Sequence, residues 1–340
     1  MNKIAEDLKS EFNIYIDEKI QNTSKYLPEK NVIIITDDNV NNIYSEKFPS
    51  FPVIVIANGE QSKSMQTVEG IVSQLIELQA DRNTFLLGIG GGVVCDITGF
   101  VASIFMRSVR FGFVSTSLLS QVDASIGGKN GVNFNQYKNI LGTFNQPEFV
   151  ICDTQMLKTL PQKEIKNGLG EIIKHAIISG EQMFDFIENN INAITNLEDS
   201  IISKLISESV SVKAKIVIQD EKEQNERKKL NLGHTLAHAI EKHSGILHGE
   251  AVSIGIVFSA YLSVQKNLLS KETYEKIKTL LIKAGLPVYT DISRKKLANA
   301  ITKDKKKNSD FIDFIYIEKI GNTKVVKTKI SEIQDYILNY

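Results

Sequence analysis

The chain has 340 residues, 40 Lys+Arg against 40 Asp+Glu, 42% apolar and 24% charged residues. This is ordinary globular composition, with core enough for one large or two medium domains, and zero formal charge supplies no general pull toward nucleic acid or anionic membrane. Two cysteines, Cys95 and Cys152, with no CxxC, exclude a disulfide scaffold or a cysteine-rich zinc module and fit a reducing cytosol. The N-terminus lacks an apolar signal-peptide core, and no apolar run reaches the ~20 residues of a membrane helix.

Short apolar runs at Val32–Thr36, Val53–Ile56, Phe85–Ile89 and Phe111–Val114 predict buried strands. Helical patterns near 39–47, 64–79 and 91–106 separate them. Continuous apolar strands alternating with helices imply a parallel sheet covered on both faces. From about residue 153 the pattern is mostly helical, over 161–179, 181–191, 198–218, 229–243, 248–266, 271–284 and 294–302. Two short strands (311–317, 323–328) and a helix (330–339) close the chain. We place one boundary in the turn-rich stretch from Asn145 to Pro161, giving a 1–155 α/β domain and a 156–340 helical domain.

The turn Gly88-Ile-Gly-Gly-Gly-Val-Val-Cys-Asp96 follows a strand and opens a helix, where glycines and free N–H groups suit a pyrophosphate. Cys95 stands where the dinucleotide fingerprint has its third glycine, so a tight turn without a ligand is the alternative. The stretch Ser115 to Lys129, then Asn133 and Lys138-Asn139, mixes hydroxyls, an acid, paired glycines and lysines, which suits a polyhydroxylated anion. A polar surface loop explains its glycines but not Asp123 in a mostly apolar run. Glu171 and Lys174 fall one turn apart and, taken alone, read as an ordinary ion pair.

Four of the five histidines (His234, His238, His243, His248) crowd into one window. His234 and His238 share a helix face, the geometry by which imidazoles meet a divalent metal or an anion. A lone histidine is more often structural, but this cluster also has Lys213, Glu223, Arg227, Asn231, Glu241 and Glu250 around it. His243 reads as a surface residue.

From Thr36-Asp-Asp-Asn39 to Asp304-Lys-Lys306 these ordered motifs resemble the 3-dehydroquinate synthase family, the shikimate-pathway branch of the sugar-phosphate cyclases. The resemblance implies a Rossmann-like NAD-binding α/β domain, a mainly helical metal-binding domain and an active site in the cleft between them. It implies that Glu171, His234 and His248 bind a divalent metal, zinc or cobalt. Asp37, Glu60, Lys63, Gly91, Gly92, Asp96, Thr116, Ser117 and Lys138 would line the NAD site. Lys129, Lys174, Lys213, Glu223, Arg227, Asn231 and His238 would carry catalysis, Glu223 as an acid near the metal. Asp123, Lys138, Asn139 and a lysine of the Lys305–Lys306 pair would hold substrate. Arg107 would reach the phosphate of a neighbouring subunit's substrate, which implies a homodimer. Cys95 and Asn225 depart from usual glycines, Gly170 from alanine, Asn130 from threonine and Ser115 from proline, and none of these is an implied ligand.

The implied reaction turns 3-deoxy-D-arabino-heptulosonate 7-phosphate, a phosphorylated sugar acid, into 3-dehydroquinate and phosphate, with NAD restored each turnover. Metal ligation requires neutral imidazoles, so activity should fall as His234 and His248 protonate at low pH. Two other readings compete. A sister cyclase would share the metal and NAD positions but usually replace Asn231 or His238. A metal-dependent polyol or alcohol dehydrogenase would release NADH and need fewer anion-directed bases.

Overall fold

The structure, a computed structural model, describes residues 2–3, 13–135, 137–304 and 310–340. It divides into two compact units, Met1–Leu160 with Ile202–Ile218, and Pro161–Ile201 with Gln219–Tyr340. The sequence pattern draws one boundary near residue 155, whereas the chain passes between the units three times, because residues 202–218 group with the first.

The first unit holds strands β1 (Asn2–Lys3), β2 (Asn13–Ile16), β3 (Val32–Asp37), β4 (Val53–Ile56), β5 (Phe85–Gly90), β6 (Arg110–Ser115), β7 (Lys129–Phe134), β8 (Tyr137–Phe144) and β9 (Phe149–Cys152). Among the described residues, seven form one sheet in the order β1-β2-β9-β6-β5-β3-β4. All its pairings are parallel except β1 with β2. Every residue of β5 and β9 is buried, as strands covered on both faces must be. Helices α1 (Asp38–Tyr44), α2 (Met65–Glu77) and α3 (Gly92–Ile104) follow β3, β4 and β5. The Asp37 carboxylate caps α1 by accepting from the Val40 N–H at 2.8 Å, and Ser64 caps α2 by accepting from Thr67 N–H.

This order places the site-forming ends. From β3 the chain crosses outward to β4, then returns to β5 on the other side of β3 and continues away through β6. The carboxyl ends of β3 and β5 therefore flank a topological switch point, where such sheets bind ligands.

Three features depart from the sequence pattern. β2 and β9 are four-residue strands whose pairing with each other and with β6 supplies the partner that a short run does not announce. The polar loop expected around 115–139 contains a π-helical turn, Ser120–Ala124, and the antiparallel hairpin β7–β8, built by backbone pairing rather than apolar alternation.

The next helix, α4 (Gln162–Ser179), and α5 (Glu181–Thr195) lie in the second unit, and α6 (Asp199–Gln219) carries the stretch 202–218. Beyond them come α7 (His234–Glu241), α8 (His248–Gln265), α9 (Lys271–Lys283), α10 (Arg294–Asp304), the antiparallel pair β10 (Phe311–Lys319) and β11 (Asn322–Lys329), and α11 (Ile330–Asn339). The helix expected over 229–243 is instead a 3-10 turn, Glu226–Asn231, and then α7. Gly233 breaks it with φ of 81°, and a Cβ there would meet Ile256 N at 2.8 Å. No helix among the described residues is long and apolar enough to cross a membrane.

Helices α4 and α8 are buried along most of their length, and α8 is apolar nearly all round. They touch backbone to backbone: a Cβ on Gly249 would stand 1.9 Å from Asn167 O. The Gly249 N–H donates to the Asn167 side chain at 2.7 Å. This contact sets Glu171 of α4 against His248 at the start of α8. Gly249→Ala should cost at least about 2 kcal/mol through overpacking. Denaturant unfolding checks this, and an unchanged midpoint would contradict so tight a contact.

Candidate metal and dinucleotide sites

In the second unit, ligand atoms of Glu171, His234 and His248 lie within 4.8 Å of one another. Glu171 is fully buried. His248 Nε2 stands 3.3 Å and His234 Nε2 3.8 Å from its Oε1, while the Lys174 ammonium contacts Oε2. Each carboxylate oxygen thus faces a cationic or imidazole group and still has a second lone pair to offer. A buried acceptor left in that state suits a cation.

The second ring nitrogens are occupied. His234 Nδ1 lies 3.2 Å from Leu232 O, and His248 Nδ1 lies 3.3 Å from Glu241 Oε1. Each ring is thereby turned so that Nε2 faces Glu171, the arrangement by which outer carboxylates and carbonyls orient metal-binding histidines. Glu241 falls in the histidine window, where the sequence alone gives it no role. The one signal it carries there is its place on the helix of His234 and His238.

Electrostatics differ sharply between the two imidazoles. Burial, then the Lys174 ammonium, holds His234 well below the usual histidine range, so it is neutral. Burial also opposes charge on His248, but the Glu171 and Glu241 carboxylates outweigh it and push its pKa up to about 10. Burial opposes ionisation of Glu171, yet Lys174 and the two histidines hold its carboxyl well below the carboxylate range. The lone low-pH loss expected for both histidines therefore splits: without a metal, His248 already carries a proton at neutral pH.

Other residues of this unit group nearby. The His238 ring meets His234 edge-on, with centroids 5.5 Å apart. Asn231 donates to Glu223 Oε1, and Glu223 itself has φ of 58°. Arg227 is buried and donates to Glu221 O. Lys305 and Lys306 lie outside the described residues.

In the first unit, Asp37 sits at the carboxyl end of β3 and Gly91-Gly92 at the turn from β5 into α3, on the two sides of the switch point. Gly91 caps α3 with no side-chain bond, so the first N–H groups of a 13-residue helix have no side-chain cap. A Cβ on Gly92 would lie 3.1 Å from Ala124 Cβ, so the turn is already close to its neighbour. Cys95, at the third-glycine position, is buried with Sγ toward Gly90 O at 3.9 Å, and its small side chain keeps α3 close to β5. Asp96 pairs with the buried Lys63; burial pushes its carboxyl up against the pull of that ammonium. Burial likewise raises Asp37, opposed by the Val40 N–H. Glu60 accepts from Asn133 at 2.8 Å, Thr116 N–H donates to Gly90 O at 3.0 Å, and Ser117 Oγ donates to Ser120 Oγ at 3.0 Å.

Asp123 occupies the π-helical turn, a feature frequent at functional sites. Lys213 of α6 donates to Asp123 Oδ1 and to its carbonyl oxygen, both at 2.6 Å. Lys129, Lys138 and Asn139 stand exposed on the β7–β8 hairpin, where Asn139 N–H donates to Asn133 Oδ1 at 2.9 Å. Arg107 is exposed just past α3. The geometry thus brings Glu171, Lys174, His234, His238 and His248 together in one unit, and Asp123 with Lys213 in the other.

Two family models match the chain: 3-dehydroquinate synthase N-terminal over residues 53–167, and 3-dehydroquinate synthase C-terminal over 168–307. The 3-dehydroquinate synthase of Thermoanaerobacter pseudethanolicus is 40% identical, over 91% of this chain and 90% of its own. That of Campylobacter concisus is 39% identical, over 98% and 96%. A solved 2-deoxy-scyllo-inosose synthase, complexed with carbaglucose-6-phosphate, NAD+ and Co2+, is similar with a TM-score of 0.84 at 25% identity over 96% of each chain. The 2-epi-5-epi-valiolone synthase of Streptomyces hygroscopicus, with NAD+ and Zn2+ bound, shares the fold with a TM-score of 0.88 at 24% identity over 97% and 96%.

A zinc ion ligated by His248 would displace the proton that the neighbouring carboxylates hold on that ring. Calorimetric titration at pH 8 in buffers of different ionisation enthalpy should give release of about one proton per zinc ion, and affinity that rises with pH up to about 10. Proton-neutral binding would contradict a protonated His248 in the metal-free site.

Proposed function

The chain belongs to the 3-dehydroquinate synthase family, and from that premise we infer that it converts 3-deoxy-D-arabino-heptulosonate 7-phosphate into 3-dehydroquinate and phosphate. The observation that carries this reading at the site is the convergence of Glu171, His234 and His248 around a buried carboxylate with lone pairs to spare. One oxygen and two nitrogen donors are the set of a catalytic divalent site that keeps positions open for substrate. Zinc and cobalt both suit it, and both accompany NAD in similar solved cyclases. The bare helix start at Gly91-Gly92 and the acid at the end of β3 suit NAD in the same way. The chemistry these groups supply when bound is polarisation of a substrate hydroxyl and storage of one hydride that is later returned.

The chain's own residues do the remaining work. We assign Glu171, His234 and His248 to the metal, with Glu241 and the Leu232 carbonyl orienting the rings. Asp37, Glu60, Lys63, Gly91, Gly92, Asp96, Thr116, Ser117 and Lys138 are assigned to the dinucleotide. The Lys63–Asp96 pair fixes a charge next to the turn where a pyrophosphate would lie. Lys129, Lys174, Lys213, Arg227 and His238 are assigned to offset the carboxylate and phosphate of the substrate. Lys213 is held for this by Asp123, and Asn231 by Glu223. Both Asn231 and His238 are present, and identity to the 3-dehydroquinate synthases stands well above that to the sister cyclases. The sister-cyclase and dehydrogenase readings are therefore not favoured.

The same reading includes a homodimer in the cytoplasm. Ile104, Met106, Phe134, Tyr137, Ile140 and Phe144 are large apolar side chains exposed at the end of α3 and on the β7–β8 hairpin. Thr143 Oγ1 donates to Ser103 Oγ at 2.9 Å and ties the two segments together. Such exposed apolar surface suits a second copy of the chain, with Arg107 at its edge.

The test is to incubate the purified protein with zinc, NAD and 3-deoxy-D-arabino-heptulosonate 7-phosphate while following phosphate and NADH together. Phosphate release without net NADH, abolished by a chelator, is the expected outcome. No phosphate release, with NADH accumulating on simple polyols, would overturn it.

A further inference from the structure

Met106, Arg107 and Ser108 are three consecutive non-glycine residues with positive φ, at 48°, 69° and 101°. Such backbone is costly for residues that carry a Cβ and persists only where the surroundings over-determine it. The φ of Ser108 is one that glycine adopts freely and serine rarely. A serine at this point calls for compensation, and its own hydroxyl takes part: Ser108 Oγ accepts from Asn145 Nδ2 at 3.4 Å. The same amide donates to Ser103 Oγ at 3.1 Å. Ser103 Oγ also accepts from Thr143 Oγ1 and donates to Gly99 O at 2.6 Å, so its hydrogen-bonding capacity is filled.

Asn145 is well placed to act as a fixed post. Its N–H donates to Gly128 O at 2.8 Å, and its carbonyl accepts from Asn130 Nδ2 at 2.9 Å. The turn is closed from its own side by Ser108 N–H to Phe105 O and Val109 N–H to Ala102 O, each 2.9 Å. Arg107 therefore stands at the centre of a turn held from both flanks, and its side chain starts from a backbone fixed in the left-handed region. Arginine loses much rotamer freedom when it binds, so fixing its base reduces what binding must overcome.

We propose that Asn145 is a positioning residue for Arg107, acting through Ser108 and Ser103 to hold the 106–108 turn in its left-handed form. The inference rests on the reading of Arg107 as the arginine that reaches a substrate phosphate. It makes Asn145 and Ser108, neither of which has a role in the assignment above, determinants of substrate affinity.

Steady-state kinetics of Arg107→Ala, Asn145→Ala and the double variant test it, with KM for the phosphorylated substrate and kcat read separately. Arg107→Ala alone tests the phosphate reading: KM should rise, and an unchanged KM would remove that reading and this inference with it. Given that rise, Asn145→Ala should raise KM about fivefold with little change in kcat, the scale of one hydrogen bond. The double variant should be no worse than Arg107→Ala, because Asn145 acts only through that side chain. Ser108→Ala removes one hydroxyl with little risk to folding and should repeat the pattern. Effects of Asn145→Ala and Arg107→Ala that multiply, or an unchanged KM in a folded Asn145→Ala and Ser108→Ala, would overturn the proposal.

Discussion

Burying an ionised carboxylate costs several kcal/mol unless other charges and dipoles meet it, and Glu171 is met by the Lys174 ammonium and the edges of two imidazoles. Much of the second unit follows from that one constraint. Helix α4 must be buried to bring Glu171 inside, and α8 must approach it closely enough for His248 to face the carboxylate. Only glycine at 249 leaves room for that approach. Gly233 stops the preceding turn so that α7 starts at His234 and presents it to the same oxygen. Without a metal, the cluster balances its charge by keeping a proton on His248, and a divalent cation bound there would take the place of that proton. The site is thus poised between two occupants of like sign.

The first unit solves a different problem with ordinary parallel-sheet physics. Its strand order reverses between β3 and β5, which leaves a crevice at their carboxyl ends. Asp37 and Gly91-Gly92 fall there because they are the residues that follow those strands. Asp37 also caps α1, so one carboxylate serves both the helix and the edge of the crevice. Lys213 and Asp123 show a similar economy, since each helps to fix the other.

The strongly periodic elements were legible from the residues. The apolar runs that became β3, β4, β5 and β6 and the long helices after residue 161 appear where the pattern places them, but β4 is not buried as its sequence predicts: it ends the sheet and exposes Val53 and Val55. The histidine window also contains His234 and His248, the two imidazoles that the fold sets against Glu171. What the residues did not announce depends on tertiary partners. Strands β2 and β9 are too short to signal themselves, and the hairpin β7–β8 has a polar sequence because much of it is exposed. The break at Gly233 is dictated by the backbone of α8, which is distant in sequence. Glu171 with Lys174 looks like an ordinary surface pair until burial is known, and the family resemblance rather than the spacing singled it out. The role of Glu241 depends on which nitrogen of His248 faces inward, a matter of geometry alone.

Whether Glu171, His234 and His248 hold the divalent metal is decided by cobalt titration of the metal-free protein followed by visible absorption. Ligation by these residues should give ligand-field bands that saturate at one cobalt per chain and vanish or weaken strongly in folded Glu171→Gln and His234→Ala proteins. Bands of unchanged intensity and stoichiometry in those two variants would place the metal elsewhere.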